Sequence, residues 1–549
     1  MRTAAVVYAG SLSESARKPL AGGGSAYARV LDFVRELPGF EGALVLSTPG
    51  SGDLPAGQAS GRLRLETREA FSLSSILEAA EGYAASFQEA GGGEGRGGLD
   101  ALVFVRADEP LLDRSLAARM LENFRRYRAD YSFADGYPLG LASEILHPRA
   151  LPALRLLAER HPLEPERGWL FSLIQKDINS FDIETEISPK DLRDRRLCLA
   201  CDSRRNLLLV ERLMAAGVSD AASALEVIPA RPELERSLPA FYQVQVEGGC
   251  LQSCALCPYP LFGGDILKRR DHMTRDRFAA LMGAIEAFSG DAVVDLSLWG
   301  EPSLHPDIEG LVEEVLSRPG LSLIVETSGL GWSRGTLESL ASRWAGPSGA
   351  GGAAGQGGAE GQSGPGGASP RLNWVVSLDA PKPELYARLR GPGYEEATAA
   401  AELLLELFPK GAHVQTVRAV DNEPALEDFW RGWKKRTENV IVQKYSRFAG
   451  FLPERKVTDL SPLVRRPCWH LKRDVSVLLD GTVPLCRDCV RNEIVLGKLF
   501  DESGPNDPGS VLARLEAAWA AGEAYHRLHI EGRHPEPCAG CDEYYTYNA

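Results

Sequence analysis

A short loop at residues 248–260 constrains this chain most, because it carries Cys250, Cys254 and Cys257 at C-x3-C-x2-C spacing. Residues 241–246 before it alternate apolar and polar side chains and are predicted to form a β-strand. Three thiolates from one loop can hold three irons of a cubic 4Fe-4S cluster, leaving the fourth iron open. An open iron indicates chemistry, whereas a structural zinc ion requires four closed ligands.

Residues 236–450 alternate predicted strands and helices, which favours a partial β/α TIM-type barrel. The predicted strands 293–298, 321–325 and 372–376 each end in polar residues, and active sites of such barrels gather at the carboxyl ends of the strands. Residues 346–370 are almost entirely Gly, Ala, Ser and Pro, so we expect a disordered insertion there. The glycine run 91–98 is a second, shorter insertion of this kind.

The cysteine loop and the tripeptide Gly300-Glu301-Pro302 together resemble the signature of radical S-adenosylmethionine (SAM) enzymes. The resemblance implies that the amino and carboxylate groups of SAM chelate the open iron. It further implies that one electron from the reduced cluster cleaves SAM to methionine and a 5′-deoxyadenosyl radical, which abstracts hydrogen from a substrate. Residues implied to bind SAM are Gly300, Glu301, Pro302, Ser328, Ser377 and Asp379.

Residues 1–235 also alternate strands and helices and are predicted to form an open α/β sheet. The loop 9–20 and the turn 106–111 resemble the nucleotide-binding loop and the metal-binding aspartate turn of sugar nucleotidyltransferases. The loop lacks the glycine and the arginine of that family, so we predict a folded but degenerate relative. Cys198 and Cys201 in this region are predicted to be buried structural thiols.

Residues 451–549 contain five more cysteines, two of them on either side of a predicted hairpin. The hairpin would join strands 475–479 and 482–485 through Asp480-Gly481, and it would bring Cys468 and Cys486 together. A cubic cluster uses at most four thiolates, so one of the five cysteines is spare. The cysteines of this region are Cys468, Cys486, Cys489, Cys538 and Cys541.

This region resembles a shortened SPASM domain, the part of many radical SAM enzymes that carries auxiliary 4Fe-4S clusters. The resemblance implies that Cys468, Cys486, Cys538 and Cys541 hold a second cluster and that Cys489 is spare. The three regions in this order are similar to the group called spiro-SPASM proteins.

The composition restricts the class of partner. The net charge of −14 argues against broad binding to nucleic acid or to anionic membranes. No run of about twenty apolar residues occurs, so we predict no transmembrane helix and a cytoplasmic protein. Ten cysteines, most at ligand spacing, fit metal binding in a reducing compartment better than disulfides.

These observations and the resemblance predict a radical SAM enzyme with two 4Fe-4S clusters and an unknown substrate. The resemblance implies a peptide or protein as the class of substrate. An electron donor such as a flavodoxin or a ferredoxin is an expected partner. Two alternatives remain open from the sequence. The barrel could modify a nucleotide or nucleotide-sugar bound by the first domain, or the chain could be a non-catalytic iron–sulfur redox protein.

Overall fold

The computed structural model describes residues 1–10, 12–51, 54, 61–89, 98–345, 370–459, 461–502 and 504–545. The described residues form two compact units, which divide in the sequence between Ser237 and Leu238. The predicted insertions 91–98 and 346–370 lie outside the described residues, apart from Gly98 and Pro370.

The first unit alternates strands and helices in the order that its sequence pattern predicts. Its elements are β1 (Thr3–Ala9), α1 (Glu14–Arg17), α2 (Ala26–Arg35), β2 (Phe40–Ser47), β3 (Leu63–Thr67), α3 (Leu73–Glu89), β4 (Ala101–Arg106), α4 (Arg114–Tyr127), β5 (Tyr131–Asp135), β6 (Glu144–Leu146), α5 (Leu151–Arg160), α6 (Trp169–Ile174), β7 (Ile183–Ile187), α7 (Arg204–Ala215) and α8 (Ala221–Ala230).

Its strands form one sheet in the order β3-β2-β1-β4-β6-β5-β7. Neighbouring strands run parallel except where β6 pairs with β4 and β5. Successive residues of β1 enter different cores, since Ala5 and Val7 pack in one cluster and Ala4 and Val6 in another. A strand buried on both faces is typical of a sheet with helices on each side, so the predicted open α/β architecture is confirmed.

The second unit contains the predicted barrel region and the cysteine-rich tail. Its elements are β8 (Phe241–Val244), α9 (Tyr259–Phe262), α10 (Arg275–Ser289), β9 (Ala292–Asp295), α11 (Ile308–Leu316), β10 (Leu321–Thr327), α12 (Arg334–Trp344), β11 (Leu372–Ser377), α13 (Pro383–Leu389), α14 (Tyr394–Leu407), β12 (Ala412–Arg418), α15 (Leu426–Lys434), β13 (Val440–Lys444), α16 (Trp469–Arg473), β14 (Asp474–Val477), β15 (Thr482–Pro484), β16 (Val495–Lys498) and α17 (Pro508–Ile530).

The main sheet of this unit is parallel throughout, in the order β13-β12-β11-β10-β9-β8-β14. Apolar residues on one face, among them Val244, Val294 and Trp374, pack against the surrounding helices in the largest core. Alternate residues on the other face are polar toward the carboxyl ends of the strands. This is the arrangement of a partial β/α barrel, in which the inward side chains at the strand ends build a site.

The hairpin predicted around Asp480-Gly481 is wrong. The turn itself forms, with Gly481 in the left-handed region at φ 85°. However, β14 pairs in parallel with β8, and β15 pairs antiparallel with β16. Ser476 of β14 donates a hydrogen bond to Gln243 Oε1 at 3.1 Å, and all four residues of β14 are buried. The tail therefore contributes an end strand to the parallel sheet.

Among the described helices, none combines the length and the apolarity needed to cross a membrane.

Candidate active site

A cavity of about 220 Å³ lies at the carboxyl ends of the parallel strands in the second unit. Cys250, Cys254 and Cys257 line it together with Glu301 and Ser328. The predicted SAM-binding residues Gly300, Ser377 and Asp379 line the same cavity. The structure therefore brings the predicted first-cluster cysteines and five of the six predicted SAM contacts together. The sixth, Pro302, is buried at the start of a short turn after Glu301.

The cysteine loop is held in place by backbone hydrogen bonds to two separate segments. The Cys250 amide donates to Ile266 O at 2.9 Å, and the Ala255 amide donates to Leu389 O at 2.7 Å. A side chain at Gly249 would meet Arg269 O at 2.3 Å, so the loop packs as closely as a glycine allows. The positions of the three thiols are therefore set by the backbone.

Burial raises the pKa of Cys250 and of Cys257 to about 12, and it also raises the pKa of Cys254. The negative charges that Cys254 and Cys250 carry as thiolates raise the pKa of Cys257 further. The thiols are consequently protonated in this state and lose protons when a metal binds.

Arg390 is a buried cation beside the cysteine loop, and the sequence analysis did not identify it. Its guanidinium forms an ion pair with Asp379 at 2.5 Å and donates to Gln252 Oε1 at 3.1 Å. Its charge opposes the effect of burial on the pKa of Cys254 and so favours the thiolate. No spacing rule pointed to it, because it reaches the loop from the far end of α13.

Asp379 has both carboxylate oxygens occupied. Oδ2 accepts from Arg390, and Oδ1 accepts from the Val417 amide at 2.7 Å. The backbone of Asp379 has φ 60°, in the left-handed region, and these two hydrogen bonds stabilise that conformation. In this arrangement Asp379 positions Arg390.

The Gly300-Glu301 turn is bonded to the cysteine loop and to the end of β10. The Glu301 amide donates to Gly249 O at 2.8 Å, while its carboxylate accepts from Thr327 Oγ1 at 2.5 Å and from Ser328 Oγ at 2.6 Å. A side chain at Gly300, which has φ 89°, would meet Glu247 O at 2.1 Å. Only glycine fits this turn.

A row of polar side chains lines the cavity from the inward face of successive strands. The parallel register pairs Gln243 with Asp295 and Ser377 with Gln415, so these residues lie at matching levels. The alternation of apolar and polar residues along the predicted strands indicates these positions, whereas the motifs that follow the strand ends do not include most of them. The row consists of Gln243, Asp295, Glu326, Ser377, Gln415 and Gln443.

Two carboxylates of this row, Asp295 and Glu326, come from adjacent strands. Burial and then the charge on Glu326 raise the pKa of Asp295 to about 7. Burial also raises the pKa of Glu326, and the charge of Arg487 opposes that effect. Arg487 enters the cavity from the segment between Cys486 and Cys489, so the cysteine-rich tail contributes directly to this site.

A second, smaller cavity in the same unit is lined by Cys468, Cys486, Cys538 and Cys541. Cys489 does not line it and instead donates from Sγ to Glu493 Oε2 at 3.2 Å. Among the described residues, no three His, Cys, Asp or Glu side chains converge tightly enough to hold one metal ion. A cubic cluster does not require such convergence, because each thiolate binds a different iron.

His529 also lines the second cavity, and it is 4% exposed. Neither of its ring nitrogens has a hydrogen-bond partner in the described part of the chain. Burial lowers its pKa to about 4, so the ring is neutral. An unsatisfied polar ring beside four thiols is costly unless a bound group supplies a partner.

In the first unit, the predicted aspartate turn contains a buried cation. Arg167 pairs with Asp108 at 2.6 Å, with Glu109 at 2.5 Å and with Asp202 at 3.1 Å. The Arg167 and Arg106 charges hold the pKa of Asp108 below its usual range, although burial opposes them. Lys18 of the predicted nucleotide loop is exposed and lies 3.5 Å from Glu14. Arg167 thus occupies the carboxylates that a divalent metal would need.

No model of a known protein family matches the chain. An uncharacterized protein of Treponema pallidum is 34% identical over 391 residues, which are 69% of this chain and 99% of that protein. Among solved structures, a cytidylyltransferase from Leptospira borgpetersenii is 16% identical with a TM-score of 0.35, covering 43% of this chain and 96% of its own. Streptococcus suis SuiB bound to S-adenosylmethionine is 13% identical with a TM-score of 0.36, and the match covers 60% of this chain and 85% of the SuiB chain. At TM-scores below 0.5, neither likeness assigns a function to this chain.

Proposed function

We propose that this chain, which belongs to the same family as the uncharacterized Treponema pallidum protein, is a radical SAM enzyme. The observation that carries the proposal is one cavity in which three thiols from a single loop face the Gly300-Glu301 turn. The turn and the loop are joined by the hydrogen bond from the Glu301 amide to Gly249 O. The three thiols and a set of oxygen acceptors therefore lie at the carboxyl ends of a parallel sheet, where barrel enzymes have their active sites.

The residues around the loop fit a 4Fe-4S cluster held by Cys250, Cys254 and Cys257. The three thiols are half-buried neighbours in a loop whose backbone is fixed before any metal arrives. Arg390 supplies a buried positive charge next to Cys254, which offsets the negative charge of a thiolate-bound cluster. When bound and reduced, such a cluster supplies the electron that cleaves SAM to methionine and a 5′-deoxyadenosyl radical.

The chain's own residues then bind and orient SAM. Thr327 and Ser328 fix the Glu301 carboxylate, so its oxygens lie in the cavity as acceptors for a cationic amino group. A buried ammonium is costly without such acceptors. Ser377 is held by Gln415 Nε2 at 3.1 Å, which keeps its hydroxyl in the cavity. Asp379 contributes indirectly by orienting Arg390.

A second cluster, bound by Cys468, Cys486, Cys538 and Cys541, belongs to the same proposal. These four thiols line one cavity, and so does His529, whose ring nitrogens have no hydrogen-bond partner among the described residues. A cluster there would give the ring a hydrogen-bond acceptor. The rival in which Cys489 is a ligand is disfavoured by its hydrogen bond to Glu493.

The alternative of a nucleotide or nucleotide-sugar bound by the first unit is not favoured. Arg167 pairs with the carboxylates of Asp108, Glu109 and Asp202, and a metal ion would have to displace it. We infer that the first unit performs no metal-dependent nucleotidyl transfer.

A flavodoxin or a ferredoxin is the expected electron donor, and a peptide or protein is the expected substrate.

Electron paramagnetic resonance of the anaerobically reconstituted, reduced protein tests the proposal. Adding SAM should change the cluster signal in wild type, because SAM binds an iron of the first cluster. The Cys250→Ala, Cys254→Ala, Cys257→Ala triple variant should retain about four irons and show no SAM-dependent change. Cys198→Ala in the first unit is the matched control and should behave as wild type. An unchanged SAM response in the triple variant would contradict the proposal.

A further inference from the structure

Asp295 and Glu326 are the acidic part of the cavity that the proposed SAM and cluster contacts do not use. Asp295 is 5% exposed, and in the described part of the chain only one of its oxygens accepts hydrogen bonds, from the Ser297 amide and hydroxyl. The Glu326 carboxylate has no hydrogen-bond or ion-pair partner among the described residues, and burial disfavours its charge. Two acidic groups without an ion-pair partner in a partly buried cavity either take up a proton or are compensated by a bound ligand.

The neighbouring polar groups are arranged as in a binding site. Gln243 is 5% exposed and lines the cavity at the level of Asp295. Its Oε1 accepts from Ser476, which leaves its amide nitrogen without a partner in the described residues. A nine-tenths buried amide that presents a free donor to the cavity is a second sign of a missing ligand.

The charge balance decides which ligand fits. Asp379 is paired with Arg390, Lys444 is paired with Glu543 at 3.0 Å, and Glu301 is held by hydroxyl groups. Arg487 is the one cation near Asp295 and Glu326, and it forms no ion pair with either in the described residues. Arg487 also interacts with Asp488, so acidic groups outnumber the cations in this part of the cavity.

We propose that the substrate presents a positively charged nitrogen group, either an ammonium, a guanidinium or an amidinium, to Asp295 and Glu326. This inference rests on the proposed function, since it assigns the substrate class of the same cavity. A cation between the two carboxylates neutralises the remaining charge and forms charge-assisted hydrogen bonds with both. A lysine side chain, an arginine side chain or the amino terminus of a peptide carries such a group.

Equilibrium dialysis of the reconstituted, SAM-loaded protein without reductant tests this assignment. The probes are 4-aminobenzamidine, its neutral isostere 4-aminobenzamide, and the anion 4-aminobenzoate. We expect the amidine to bind about tenfold or more tightly than the amide, the ratio that one charge-assisted hydrogen bond provides. Asp295→Asn and Glu326→Gln should each remove most of this preference, while Glu427→Gln, an exposed carboxylate on α15, should not.

The pH dependence has a defined sign. Asp295, whose facing charged groups are Glu326 and Arg487, must be ionised to bind a cation, and its pKa is about 7. The amidine affinity should therefore rise by up to about tenfold between pH 6 and 8, while the amidine stays charged. Glu326→Gln should move this rise to lower pH, because the Glu326 charge raises the pKa of Asp295.

Three outcomes would overturn the assignment: equal binding of amidine and amide, preferred binding of the benzoate through Arg487, or amidine binding that survives both substitutions. Iron content and thermal melting of each variant show whether it is folded, and Glu326→Gln changes the less buried of the two residues. Because no SAM cleavage is required, a failure here is distinct from a failure of the radical SAM proposal.

Discussion

At the scale of single residues, Arg390 connects the cysteine loop to Asp379, because it contacts both Gln252 and that carboxylate. It neutralises Asp379, which is 2% exposed, and its charge lies close to Cys254. Arg390→Met should reduce the free energy of unfolding by about 3–5 kcal/mol, because it leaves a buried carboxylate without its cation. It should also make the first cluster harder to reduce, since a nearby positive charge favours the added electron.

Redox titration followed by electron paramagnetic resonance measures the second effect. Arg390→Lys keeps the charge and should restore most of the midpoint potential. Arg388→Met, on the exposed side of α13, is the matched control. A variant Arg390→Met with full iron content and an unchanged potential would show that the guanidinium is only a structural ion pair.

The second residue-scale prediction concerns the five cysteines of the tail. Cys489→Ala should retain about eight irons per chain, because its thiol is bonded to Glu493 and lies outside the shared cavity. Alanine at Cys468, Cys486, Cys538 or Cys541 should each lower the count. Iron and sulfide analysis of the five single variants separates these cases. Loss of about half the iron in Cys489→Ala, with full retention in Cys468→Ala, would reverse the assignment.

At the scale of elements, the Gly300-Glu301 turn connects the cysteine loop to the strand ends. Gly300→Ala should displace the turn, because the added carbon would lie 2.1 Å from Glu247 O and the backbone has φ 89°. We expect SAM affinity to fall at least about tenfold with little loss of iron, since the three thiols are untouched. Calorimetric titration with SAM measures the affinity of each variant. Gly432→Ala, a helical glycine with open space around it, should bind SAM as wild type does.

The elements also show what sequence patterns can and cannot predict. Short apolar runs such as β1 and β9 are predictable because a strand that is buried on both faces is encoded in its own residues. The strand with which β14 pairs was not predictable in this way. The Asp480-Gly481 turn is a local signal, whereas pairing with β8 depends on a strand more than 200 residues away. Cys250, Cys254 and Cys257 could be predicted from spacing. Arg390, Asp295 and Arg487 meet them only through the register of the sheet and the path of the tail.

At the scale of the whole molecule, the first unit has the open α/β fold that its sequence predicts and an acidic cluster whose carboxylates pair with Arg167. Arg167 binds three carboxylates at once and is 8% exposed. Arg167→Ala should lower the stability of this unit by about 3–5 kcal/mol, because three acidic groups lose their common cation. The vacated carboxylates should then bind a divalent cation, which prefers oxygen ligands.

Thermal melting with and without millimolar Mg²⁺ tests this prediction. The metal should raise the melting temperature of Arg167→Ala and leave wild type and the exposed control Arg160→Ala unchanged. Stabilisation of wild type by Mg²⁺, or pyrophosphate release that depends on Lys18 and a divalent metal, would show that the first unit is an active transferase.

The central claim is that the second unit cleaves SAM with a cluster held by the three-cysteine loop, and product analysis tests it most directly. The anaerobically reconstituted protein, given SAM and a strong reductant, should release 5′-deoxyadenosine. The variant with alanine at Cys250, Cys254 and Cys257 should release none, while Cys489→Ala should remain active. Undiminished 5′-deoxyadenosine formation by the triple variant would contradict the account.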